Sequence, residues 1–257
     1  MNVITLDFET YYDTEHSLAH LSAVQYVHSP LFKVWGVGIK MNDEPTEWFG
    51  ADECADAIAQ IQWAEAAVVC HNTLFDAYIL TQYYKVYPKY YYDTAAMARG
   101  LAPNESSSLK NTCERMFPND KTMRKGDELV NAKGIFDLPP DIEDQIAGYC
   151  IQDVDLTYAL YNVMQPNYPQ SELDLIDLTC RMYVEPKIFL NRTLLQAHKD
   201  DIATNTAQLI QDSGLTRAQL ASQKQFAEHL ESLNITVPTK KSQRTGLMIP
   251  AFSKTDK

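Results

Sequence analysis

The first ten residues alternate in character: Ile4, Leu6 and Phe8 fall on one parity, Thr5, Asp7 and Glu9 on the other. A period of two predicts a strand over 3–10, with the apolar face turned to a core and the acidic face turned away. Segments 32–40 and 46–49 read as successive antiparallel strands, 51–63 as an amphipathic helix and 66–70 as a short apolar strand. Asn72, followed by the run 74–80, reads as that last strand turning into a helix.

The pattern changes after Leu138-Pro139-Pro140. Proline is tolerated in a first helical turn and disfavours helix before it, so a helix starts there. Ile142, Ile146, Cys150, Val154 and Tyr158 recur at every fourth position, followed by Tyr161, and make one buried stripe, with Cys150 as a core residue. Gln165-Pro166-Asn167-Tyr168-Pro169 breaks this helix and marks a boundary, after which helical patterns at 194–211 and 218–233 take over. The tail from Pro238 is polar and basic, with Lys240, Lys241, Arg244, Lys254 and Lys257, and is expected to lack a core of its own. A length of 257 residues suits a domain with an appendage. The expectation is an α/β domain over 1–168, a mixed sheet flanked by helices, with a helical appendage over 169–257.

Chemistry enters through three short strings. Asp7 and Glu9 sit at i and i+2 of the first strand and project from one face, as two hard oxygen ligands for a divalent cation must. Tyr149 and Asp153 sit at i and i+4 beside the buried stripe of the long helix, where they stack and still reach a cleft. Asp76, in Asn72-Thr73-Leu74-Phe75-Asp76, falls in the first turn of its helix, a position that the helix dipole favours for an acid even without function. Each string alone is common on solvated faces. Jointly they supply four carboxylates and a phenol, in order, on elements that can aim them at one point. Such a set suits a two-metal phosphodiesterase site, in which ions about 4 Å apart stabilise the attacking and leaving oxygens and lower the pKa of water from about 15.7 towards 7. His71 reads as a packed or capping residue, since acids already satisfy a hard cation, and Asp93 reads as a turn residue.

The order Asp-x-Glu, Asn-x-x-Phe-Asp, Tyr-x-x-x-Asp resembles the tyrosine subclass of the DEDD 3′→5′ exonucleases, the proofreading nucleases of family-A DNA polymerases. The surrounding text is closer still to the amino-terminal part of bacteriophage family-A polymerases, in Pro45-Thr46-Glu47-Trp48-Phe49, Tyr92-Asp93-Thr94, Lys125-Gly126 and the stretch from Val237 to the end. The resemblance implies a ribonuclease-H-like (DnaQ-type) fold and a nuclease that removes mononucleotides from single-stranded or frayed DNA 3′ ends. It implies two ions, Mg2+ or Mn2+, with Asp7 bridging both, Glu9 and Asp153 completing one site and Asp76 holding the other largely through water. Tyr149 would orient the attacking water, because an unperturbed phenol, with a pKa of about 10, is a poor base. The Thr10 amide and Glu9 would read the terminal 3′-hydroxyl, with Asn72 and Leu18 touching the last nucleotides. Leu18 equally suits a short helix core. Residues 169–257 resemble a linker and the start of a thumb, cut short, and no second acidic cluster after Asp153 supplies a polymerase centre.

The net charge of −12 runs against extensive phosphate binding. Lys110, Arg115, Lys121, Arg124, Lys125 and Lys133 offset it locally in a stretch that reads as loop-rich. Five scattered cysteines form neither a metal spacing nor an even disulfide set, which suits a reducing cytoplasm, that of the host cell if the chain is phage-encoded. No run is long enough to span a bilayer, and strand residues begin right after Met1, which leaves no room for a signal peptide. Two other functions fit the same residues: an exoribonuclease, since the metal chemistry is shared and only the 2′-hydroxyl distinguishes the sugars, and a scaffold for a separate polymerase subunit.

Overall fold

The computed structural model describes residues 1–126 and 132–253. The alternation at the start forms strand β1 (Asn2–Thr10), which buries Ile4, Leu6 and Phe8 and leaves Asp7 and Glu9 half-buried on the opposite face. After the short helix α1 (Ala23–Val27), β2 (Val34–Met41) pairs antiparallel with β1, and β3 (Glu47–Gly50) pairs antiparallel with β2. Helix α2 (Cys54–Ala59) is shorter than the expected 51–63, because the chain tightens so that the Trp63 indole donates to the Ile58 carbonyl and is buried.

Strand β4 (Ala66–Cys70) then joins β1 in parallel, and β5 (Tyr90–Asp93) joins β4 in parallel. The sheet order is β3-β2-β1-β4-β5. Between β4 and β5 lies helix α3 (Leu74–Tyr78), which runs on into a π-helical turn (Ile79–Tyr83). Asp93 is more than the expected turn residue. It caps helix α4 (Thr94–Leu101), its carboxylate accepting from the Ala95 and Ala96 amides, and it also accepts from the Asn72 amide. Asn72 needs that tie, for it stands in the left-handed region at φ 73°, which asparagine tolerates better than most residues.

The stretch expected to be loop-rich contains helix α5 (Leu109–Met116), which places Lys110 and Arg115 on a helix; the Ser108 hydroxyl caps it, and Leu109 and Cys113, one turn apart, bury its inner face. Helix α6 (Pro140–Met164) crosses the sheet against β1 and β2, and it comes close because Gly38 has no side chain: a Cβ there would stand 2.9 Å from Cys150 Sγ and 3.1 Å from Val154 Cγ2. Leu156, Leu160 and Met164 of α6 join Ala67 and Val69 in one core, while Ile4, Leu6 and Phe8 join Ile79 and Leu80 in another. Each fully buried Leu or Ile contributes roughly 1.5–3 kcal/mol, so the first of these cores holds α6 firmly over the sheet.

The first compact unit runs from Met1 to Lys187, past the break at 165–169, because helix α7 (Gln170–Val184) buries Leu173, Cys180 and Val184 in the same cores. The second unit, Ile188–Lys257, holds helices α8 (Arg192–Asp212), α9 (Arg217–Ala221) and α10 (Gln223–Ser232). Its tail forms a hairpin of β6 (Thr239–Lys241) and β7 (Met248–Pro250), and Phe252 packs on Phe226 with ring centroids 5.2 Å apart. Lys254 and Lys257 of the basic tail lie outside the described residues. Among the described residues no helix is long and apolar enough to cross a membrane.

Candidate active site

Three elements meet over the acidic face of β1. Asp76, in the first turn of α3, is buried, and its Oδ1 accepts from the Phe8 amide at 3.1 Å, which fixes the carboxylate against the strand between Asp7 and Glu9. From the other side α6 brings Cys150, Tyr149 and Asp153. The Cys150 thiol donates to the Asp7 carbonyl at 3.3 Å and lies 3.9 Å from Asp7 Oδ2. Among the described residues, ligand atoms of Asp7, Glu9 and Cys150 lie within 4.8 Å of one another. Asp153 is buried on α6, one turn beyond the half-buried Tyr149.

The charges of these groups act on one another. Burial, then the Asp153 carboxylate, push the Asp7 carboxyl from 3.8 up to about 7. Burial and the charges of Asp7 and Asp153 hold Glu9 well above the usual carboxylate range. Burial and Asp7 do the same to Asp76, against the opposing pull of the Phe8 amide bond. Gathered acids that raise one another's pKa are a site that lacks positive charge.

One residue supplies part of it. Lys125 Nζ donates to Asp153 Oδ2 at 2.6 Å and stands 4.8 Å from the centre of the Tyr149 ring. Burial works against the ammonium charge, but the Asp153 carboxylate outweighs it, and Lys125 is held above its ordinary range. Its charge also lowers Asp7 and Glu9. In the sequence Lys125 stands in a run of basic residues and in the Lys125-Gly126 string of the resemblance, and neither of these gives it a place at the acids.

The other expected contacts are more scattered. Thr10 is buried at a register shift of β1, where its hydroxyl is 2.8 Å from Tyr26 OH. Leu18 is 51% exposed in the segment after β1, so it is not a helix core residue. Asn72 is exposed at the start of the turn that delivers Asp76. His71 is a packed residue as expected, with Nδ1 bonded to the Thr94 hydroxyl at 2.9 Å and Nε2 to the Ser107 carbonyl at 2.8 Å. Cys150, read as core, is indeed fully buried, but its thiol also reaches the acid cluster.

Comparison with solved structures defines the class of fold. RNase D of Trypanosoma brucei matches with a TM-score of 0.55 at 14% identity, covering 74% of this chain and 68% of that one. The catalytic core of RRP6 from Trypanosoma brucei gives 0.52 at 15% identity, over 85% of this chain and 54% of that one, and Brucella melitensis NrnC gives 0.47 at 15%, over 71% and 81%. The mixed five-stranded sheet flanked by helices is the ribonuclease-H-like fold of the DEDD exonucleases. Residues 53–168 match the family model described as 3′–5′ exonuclease. No curated protein matches the sequence.

Proposed function

We propose that the chain is a divalent-metal-dependent 3′→5′ exodeoxyribonuclease of the tyrosine subclass, the proofreading part of a phage-type family-A DNA polymerase, working in the cytoplasm and without polymerase activity of its own. The observation that carries this reading is the gathering of Asp7, Glu9, Asp76 and Asp153, in which burial and then the neighbouring charge of Asp153 push the Asp7 carboxyl up to about 7, with Tyr149 one turn from Asp153 on α6. Carboxylate oxygens are the donors that Mg2+ and Mn2+ prefer, and the ammonium of Lys125 already stands against one of them as a cation. The four acids would hold two such ions, which when bound supply Lewis acidity and a more acidic water.

The remaining work falls to the chain itself. The Tyr149 hydroxyl orients the attacking water by a hydrogen bond, and the Thr10 amide with the Glu9 carboxylate receives the terminal 3′-hydroxyl. Asn72 and the exposed Leu18 meet the last nucleotides, and residues 169–257 connect the nuclease to its polymerase partner. The test is digestion of 5′-labelled single-stranded DNA and an RNA of the same sequence in Mg2+ or Mn2+. DNA should shorten stepwise from the 3′ end, with mononucleotides released and the reaction stopped by chelator. Cleavage that persists in excess chelator would refute the metal reading, and faster digestion of RNA would replace the substrate with RNA.

A further inference from the structure

Lys125 is aimed at the acids by a device that the proposed chemistry does not require. The side-chain amide of Gln152, the residue next to Asp153 on α6, grips the backbone on both sides of it: Gln152 Nε2 donates to the Arg124 carbonyl at 3.0 Å, and Gln152 Oε1 accepts from the Gly126 amide at 3.3 Å. The Arg124 guanidinium pins the same loop by donating to the carbonyls of Phe117, Pro118 and Met123 at 2.9, 3.1 and 3.0 Å. From between the two clamped peptides the Lys125 side chain, 17% exposed, reaches an Asp153 side chain that is 8% exposed.

We infer that Lys125 is a resident cation of the acid cluster, positioned by Gln152, and that a divalent ion engaging Asp153 must displace the ammonium from Oδ2. The inference rests on the metal site proposed above. An ammonium and a divalent cation repel at contact distances, most strongly where water is scarce, so they cannot share one carboxylate oxygen without loss. Before metal binds, Lys125 keeps Asp153 and Tyr149 in place and relieves the repulsion among the acids. Once metal binds, the released ammonium remains beside Tyr149, at the mouth of the site.

The sign of the effect separates this role from a structural one. Loss of a lysine that only props up the site would weaken metal binding or leave it unchanged, whereas loss of a competing charge tightens it. Mn2+ binding to the full chain should be measured by calorimetry for wild type, Lys125→Met, Lys125→Arg and Gln152→Ala, with melting curves confirming that each is folded. A charge-assisted hydrogen bond is strong enough that Lys125→Met should bind Mn2+ roughly tenfold tighter or more. Gln152→Ala should shift affinity in the same direction by less, since its lysine is loosened rather than removed, and Lys125→Arg should return towards wild type. Unchanged or weaker binding in both Lys125→Met and Gln152→Ala would overturn the inference while leaving the metal site standing. A wild-type chain that binds no Mn2+ would overturn both.

Discussion

Helices α6 and α8 are both long, and they differ in what they bury. Over 25 residues α6 buries Ile146, Cys150, Asp153, Val154, Leu156, Thr157, Leu160, Tyr161 and Met164, while α8, over 21 residues, buries none, leaving Leu194, Ile202 and Leu209 exposed. The contrast shows what fixes a functional residue in space. An isolated helix is marginal, and tertiary packing decides which face is held and how firmly. Asp153 and Tyr149 ride on a helix locked against a sheet through Gly38. The apolar side chains of α8 are arranged with no comparable constraint.

The contrast can be broken most severely at the acids themselves. Asp7→Ala should abolish nucleolytic turnover yet leave the metal-free protein at least as stable as wild type, because it removes a carboxylate whose charged form the fold disfavours. Activity assays beside melting curves check both halves; a clear fall in metal-free melting temperature would mark Asp7 as a structural acid. A smaller loss is expected at Tyr149→Phe, in the range of about 10²- to 10⁴-fold in rate for a positioned hydrogen-bonding group, with Mn2+ affinity unchanged. Full activity at every pH would leave Asp153 as the only contribution of α6.

The packing difference itself gives unequal costs. Leu160→Ala, in the fully buried stripe of α6, should destabilise the chain by about 2–5 kcal/mol, whereas Leu209→Gln on α8, 70% exposed, should change stability by no more than about 0.5 kcal/mol. Denaturant unfolding of the two variants measures both, and comparable losses would show that α8 is held as firmly as α6.

Legibility in the sequence follows the same division. Strand β1 and helix α6 were readable because a period of two and a spacing of four are imposed by burial on one side, and their acids sit in fixed phase with the apolar residues. Asp76 carried a weaker signal, being one acid in a first turn. Lys125 was obscured because its direction depends on Gln152, an interaction between a loop and a helix that no local period records. Helix α5 is hidden in the sequence because its inward face, Leu109, Thr112 and Cys113, carries just two apolar residues amid polar ones. The run of α7 onto the sheet was hidden by the proline break, which ends a helix without ending the unit.

The central claim, that the acids on β1, α3 and α6 form one cluster short of positive charge, is tested most directly by the pH dependence of melting with and without Mg2+. Asp7 titrates near 3.8 when unfolded and at about 7 when folded, so the native state binds more protons between those values and stability must fall as pH rises through the window. Glu9 and Asp76 are raised in the same direction and add to the fall. Lys125, raised from 10.5, contributes stability that is fully present throughout this range. His16 and His71 are lowered from 6.5 by burial and act the other way, adding stability as pH rises towards that value, whereas Asp13, Asp120 and Asp174 are lowered by their hydrogen bonds and lose their contribution only as pH drops below the ordinary carboxylate value. The account predicts that the metal-free melting temperature declines as pH rises from about 6.5 through the Asp7 value of about 7, above the range in which the histidines oppose the fall, and that Mg2+ stabilises the fold on the alkaline side, by about 2.7 kcal/mol at a hundred times the dissociation constant. A metal-free melting temperature that stays level or rises across that window, with no response to Mg2+ at pH 8, would contradict it.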